Sequence, residues 1–216
     1  MQRSATATGP DSNSFVDRME SGSANWAVAG TGAGADFTLS TAQANSPTRS
    51  SFVVDATNVS DRFLTLATPV TVPTSPGVTL EFFHRYSTEA TFDGGVLEYS
   101  LDGTTWSDIL AAQGSVPANP ARFIAGGYTG PLTGSGAYPN RPAWHGAANT
   151  SWLRVAVNLA DFSGRNVRFR WRFGTDSSVG GVGWFIDDVR VYFGSSCSNV
   201  PEGLIFRSGF EAVLGR

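Results

Sequence analysis

Apolar and polar residues alternate one by one over several stretches of this chain, the period-two pattern of strands with one buried face. Leu153, Val155, Val157 and Leu159 share one face, and Arg154, Ala156 and Asn158 the other. Val167, Phe169, Trp171 and Phe173 alternate in the same way with Arg168, Arg170 and Arg172. A longer apolar strand is expected over 78–87, leading into another at 95–100. Leu101-Asp102-Gly103-Thr104 then reads as a tight hairpin turn, because glycine supplies the positive φ that such turns need, and Trp106 opens the returning strand. Further strands are expected at 25–29, 36–39, 51–54, 62–67 and 183–193. Clusters of Gly, Ser, Asn, Asp and Pro separate these segments, and no amphipathic helical pattern appears, so the prediction is an all-β fold in two antiparallel sheets.

Three regions follow from the same pattern. Residues 1–14 are small and polar, with nothing to bury, and are expected to be a disordered N-terminal segment. Residues 15–194 form one sandwich domain, and 195–216 a separate tail. Within the domain, 111–150 is rich in Gly, Pro, Ala and Asn and includes GGYTGPLTGSGAYPNRPAWHG. A loop of that length in a compact domain is either functional or covered by local packing, which makes it the first place to look for a ligand surface.

Composition narrows the class. The 216 residues are 41% hydrophobic, enough for one large core, while charged residues are only 15% and Gly (25) and Pro (11) are plentiful, as suits many strands joined by turns. A net charge of −3 leaves no basic footprint for nucleic acid. Every positive side chain is an arginine, since the chain has no lysine. The lone Cys197 excludes an intrachain disulfide. No apolar run is long enough for a membrane helix, and the opening MQRSATATGP lacks the apolar core of a signal peptide, so the chain reads as a domain cut from a longer precursor, monomeric by itself.

The runs FDGGVLEYSLDGTTWSDI, NRPAWHG and VRFRWRFGTDSSVGGVGWFIDDVRVY resemble a β-sandwich domain found near the C-termini of bacterial secreted proteins, secreted metallopeptidases among them. In its order of elements the chain is also similar to the MAM domains of animal cell-surface proteins. The resemblance covers roughly residues 15–193. It implies a concanavalin-like or MAM-like jelly roll, secreted or at the cell surface, with a non-catalytic accessory role in adhesion, partner contact or substrate targeting. It also implies a structural calcium ion. The tail GLIFRSGFE resembles short endings of secreted proteins in some gammaproteobacteria.

Candidate chemistry is sparse. Asp187 and Asp188, neighbours on a strand, are expected to point to opposite faces, with Asp187 carried inward on the parity of Val189 and Val191. An inward carboxylate needs a partner, and calcium, which accepts several hard oxygens in loose geometry, is one solution; an arginine or loop amides are another. The resemblance places Glu20 opposite Asp187 in such a site, with Asp17 a rival, and Asp55 and Asp61 are the next candidate ligands. Asp93 and Asp176 lie in turns, where capping of backbone amides is the simpler expectation and a second calcium the alternative. The arginines 168, 170 and 172 are expected to meet carboxylates such as Glu81 or Glu98 across the sheet. His84 is expected to be packed, and two scattered histidines make no zinc motif.

Tyr128, Tyr138, Arg141 and Trp144 in the long loop, with Trp184, form the candidate ligand-binding set, for a glycan or an extracellular protein. Core plugging is their alternative role. No nucleophile elbow, HExxH, phosphate loop or paired acid is present, so no catalytic residue is assigned. The alternatives are a carbohydrate-binding module and, less simply, a glycoside hydrolase or lyase on the same scaffold.

Overall fold

The computed structural model describes residues 12–133, 136–146 and 151–194; the tail at 195–216 and most of the N-terminal segment lie outside them. Seven strands form the first sheet: β10 (Phe123–Ala125), β13 (Leu153–Asn158), β7 (Thr79–Ser87), β15 (Gly183–Phe193), β4 (Ser50–Val53) and β3 (Thr38–Ser40) in that order, with β1 (Ser12–Asp17) also pairing β15. The second sheet orders β2 (Trp26–Gly32), β5 (Ser60–Leu66), β14 (Asn166–Thr175), β8 (Gly94–Ser100) and β9 (Ser107–Asp108), and β6 (Val70–Thr71) pairs β14. A two-stranded flap, β11 (Gly130–Pro131) with β12 (Pro142–Ala143), completes the set. All pairings are antiparallel, and the two main sheets face each other as the alternation predicted.

Between them lies one core. Val155, Val157 and Leu159 enter it from the first sheet, and Val167, Phe169, Trp171 and Phe173 from the second, all fully buried. Rings fill its centre: Trp171 meets Phe82 edge to face at 5.3 Å, and Trp184 packs against Phe37, Trp144 and Phe173. The ring of Trp184 also covers Gly95, where a Cβ would come within 2.5 Å of it, so β8 needs glycine at that point. Asp102 accepts the amides of Thr104 and Thr105 in the predicted hairpin turn, and Gly103 has φ +79°.

The chain's start differs from expectation. Strand β1 begins at Ser12, and pairing with β15 compensates for its polar sequence. Asp17 at its end accepts Met19 N–H, Asn25 Nδ2 and Trp26 Nε1, which makes it a structural anchor.

His84 is buried in the core as predicted. Its Nδ1 accepts from Trp184 Nε1 at 3.2 Å, and burial lowers its pKa to about 3. Because the folded value lies below the unfolded value of 6.5, the stability His84 contributes is complete above about pH 6.5 and drains as pH falls toward 3. We expect His84→Phe to remove about 1.5 kcal/mol of the loss in stability between pH 6.5 and 5. Urea melts of both proteins at the two pH values measure it, and parallel pH dependences would contradict it.

Candidate functional site

Four places in the fold carry candidate chemistry. The first is the junction of Glu20 and Asp187. A bulge in β15 at Asp188, which has φ +50°, shifts the register with β7 between Asp187 and Arg190. Asp187 therefore sits opposite Phe83 on the outer side of the first sheet, and simple parity with Val189 fails as a guide to its direction. Both acids of the pair point the same way: Asn45 donates its backbone amide to Asp187 and its side chain to Asp188.

Asp187 is fully buried because the loop over 41–49 covers it, with the amides of Asn45 and Ser46 donating to Oδ2. Burial raises its carboxyl to about 6 against those hydrogen bonds, and the Asp188 charge adds to the rise. Glu20 grips the same loop further along, accepting from Thr48 Oγ1 and from the amide of Arg49 at 2.9 Å. The two acids are thus brought to one loop.

Asp55 and Asp61 do not join them. Asp61 lies in the second sheet, where Arg172 holds it through Nε and Nη2 at 2.9 and 2.7 Å. Asp55 follows β4, two residues beyond Val53, which pairs antiparallel with Trp184, so it lies opposite position 182; Asp187 is five positions away along β15, on the order of 16 Å at strand spacing.

Asp55 belongs instead to the second place, an acidic cluster at one end of the sandwich. The β4–β5, β7–β8 and β14–β15 connections, which cross between the sheets there, supply Asp55, Glu89 with Asp93, and Asp176. One carboxylate oxygen each of Glu89, Asp93 and Asp176 lies within 4.8 Å of the others, an arrangement that can hold a metal ion. Asp55 adjoins Asp93 closely enough to share a hydrogen bond, and its Oδ2 accepts the amides of Glu89 and Gly181. Burial, opposed by the Asp176 amide and reinforced by the carboxylates of Asp55 and Asp176, pushes Asp93 up to about 8. The turn capping expected of Asp176 is also present: Oδ1 accepts the Ser178 amide.

The third place is the long Gly/Pro-rich segment, which folds back over the outer face of β8. Leu132, Tyr138 and Ala143 bury Val96 in a small second core. Tyr138 donates to Gly94 O; Trp144 is 2% exposed, with Nε1 donating to Gly126 and Gly127 carbonyls; Tyr128 donates to Asp108 and Leu97 and packs on Trp144 at 4.6 Å. Trp184, 1% exposed, is core. The rings proposed as a ligand surface are therefore packed inward, because the loop needs its own aromatic anchors to lie down on the sheet. Arg141 is spent on Glu98 and Asp108.

The fourth place, missed in the sequence, is the outer face of the second sheet beside this flap. Glu98 receives Arg141, Arg170 and Arg172; burial alone would raise its pKa, but these charges outweigh it and hold the carboxyl below its usual range. Arg170 lies between two half-buried rings, 4.2 Å from Trp106 and 4.6 Å from Phe63. The cross-strand pairing of Arg170 and Arg172 with Glu98 follows expectation; Glu81 meets Arg154 and Arg190 on the other sheet. Against Arg141, Arg170 and Arg172 stand Glu98, Asp108 and Asp61, whereas Arg168, on the same side of β14 opposite Ser100, forms no ion pair with Glu81 or Glu98, contrary to expectation.

No family model matches the chain, and no curated protein is significantly similar to it. Among solved structures, it is similar to the K2 cleaved adhesin domain of Lys-gingipain, with 14% identity over 83% of this chain and 98% of that one and a TM-score of 0.51. The K3 domain of Lys-gingipain from Porphyromonas gingivalis W83 aligns over the same shares at 14% identity and a TM-score of 0.49. The carbohydrate-binding module TmCBM61, solved with β-1,4-galactotriose, aligns at 12% identity over 82% and 94% with a TM-score of 0.48. At 14% identity, what the chain shares with the K2 adhesin domain is the β-sandwich fold.

Proposed function

We propose that this chain is a non-catalytic accessory module of a larger extracellular protein, that it serves adhesion or substrate targeting, and that calcium stabilises it. The observation carrying this reading is the outer face of the second sheet, in which the carboxylates of Glu98, Asp108 and Asp61 are committed to arginines while the half-buried rings of Trp106 and Phe63 flank Arg170. A general acid needs a raised pKa where substrate can reach it. Glu98 is held low; Asp55, Asp93 and Asp187, whose values are raised, are at most 3% exposed; and Glu89, raised as well and half-buried, stands in the cluster with Asp93 and Asp176. The fold shared with an adhesin domain agrees with an accessory role.

Aromatic edges beside arginines that are already paired with carboxylates suit the apolar face of a neutral sugar, which favours a carbohydrate ligand as the second, more specific reading. Affinity electrophoresis through a panel of neutral polysaccharides tests it: retention is expected on at least one, weakened tenfold or more by Trp106→Ala. Capture of a protein partner with no retention on any polysaccharide would assign the face to protein adhesion instead.

Calcium at the junction rests on Glu20 and Asp187, two hard-oxygen donors gripping one loop. Saturating calcium is expected to raise the melting temperature of the chelated protein by several degrees and to raise that of Asp187→Asn by less. An equal rise in both removes the ion from the junction.

A further inference from the structure

We infer that the carboxylates of Asp55, Glu89, Asp93 and Asp176 form a separate calcium site, which ties three inter-sheet loops together and anchors the long flap to the sandwich. Convergence of acids is only the first ground. The second is a set of buried oxygens left without partners. Asp93 is fully buried; its Oδ1 accepts the Asp176 amide at 2.6 Å, so Oδ2, which no N–H or hydroxyl donor reaches and which only the Asp55 carboxyl adjoins, is the oxygen left to the cluster. Asp55 Oδ1 and Glu89 Oε2 are likewise buried and unpartnered. Buried polar atoms are ordinarily satisfied, and several unsatisfied anionic oxygens in one place call for a cation.

The rest of the molecule sharpens the contrast. Buried Glu81 has Arg154 and Arg190, and buried Glu98 has three arginines. Among the described residues no ion pair reaches any of the four clustered acids. The spacing suits calcium: ligands about 2.4 Å from an ion are at most about 4.8 Å apart, the limit within which the three oxygens lie. Gly180 and Gly181 let the β14–β15 loop close over the site, since a Cβ on Gly181 would approach Asp55 Oδ2 to 2.9 Å and Ser87 O to 2.4 Å.

The site has a structural output. Between Glu89 and Asp93, Thr91 donates its amide to His145 Nδ1 and accepts from the Thr133 amide, and the neighbouring Thr88 exchanges hydrogen bonds with Gly146. Both ends of the flap are therefore fastened to the loop that carries two of the ligands. Removing the ion loosens that loop, and the flap with it.

The experiment is calorimetric titration of calcium chloride into the chelator-treated full chain at pH 7.5, with Asp93→Asn and Asp187→Asn alongside. Asparagine reproduces the shape of a protonated aspartate, and circular dichroism checks that each variant is folded; Asp176→Asn serves as the second variant should Asp93→Asn fail. We expect the cluster's binding event to weaken at least tenfold in Asp93→Asn and to persist in Asp187→Asn, and calcium to slow chymotrypsin cleavage within the flap, after Leu132 or Trp144, in the wild type but not in Asp93→Asn. Loss of an event in Asp187→Asn alone would overturn this proposal and leave the junction ion standing. Loss in Asp93→Asn alone would do the reverse. No binding at millimolar calcium would overturn both, leaving Asp55 and Asp93 as a pair that shares a proton.

Discussion

Trp184→Ala is expected to destabilise the fold by about 4 kcal/mol, the cost of deleting a fully buried indole whose surroundings close only in part. The ring touches both sheets: it packs on Phe37, Trp144 and Phe173, covers Gly95 and donates its N–H to His84. Its removal opens a cavity at the centre of the aromatic cluster and leaves a buried imidazole nitrogen without a donor. Urea unfolding followed by far-ultraviolet circular dichroism measures the effect. A variant of unchanged stability that had lost ligand retention would place Trp184 on the binding surface and contradict the packing described above.

Glu98→Ala is expected to cost about 3 kcal/mol, because it leaves three arginines, each no more than 20% exposed, without their common acceptor. Arg141 retains Asp108 and Arg172 retains Asp61, so the loss falls hardest on Arg170. The pH dependence has a definite sign. Since the folded pKa of Glu98 is depressed, its contribution is complete above the unfolded value of 4.5 and is lost as pH falls through the lower folded value. Wild type and variant should therefore converge in stability in strong acid. A gap that stayed constant from pH 6 to pH 3 would mean that Glu98 acts through packing alone.

Much of the fold was legible because side-chain alternation reports burial directly. The strand carrying Phe169 and Trp171 was readable residue by residue; in the one carrying Val155 and Val157 the core face was read correctly except at Leu153, which is exposed at the strand's start. Asp187 was not, since a bulge at Asp188 reverses the parity on which its direction was judged, and nothing in IDDV marks that extra residue. The acidic cluster shows the same limit at longer range. Asp93 and Asp176 were visible as turn residues, but their meeting with Asp55 depends on which loops emerge at one end of the sandwich, and that is a property of strand order. In the flap, Tyr138 and Trp144 signalled a special loop correctly. Their role as its anchors could be read only once β8 was known to offer Val96 and the Gly94 carbonyl beneath them. Trp106 and Phe63 escaped notice because each lies in a separate strand region, joined only by Arg170 between them.

The account's central claim is that this sandwich binds without catalysing. Reducing-end release from each retaining polysaccharide, followed over pH 4 to 9, tests that most directly. Retention with no release above the buffer control is the predicted result; release that disappears in Asp93→Asn would make the raised carboxyl pair of Asp55 and Asp93 a catalytic dyad and contradict the account.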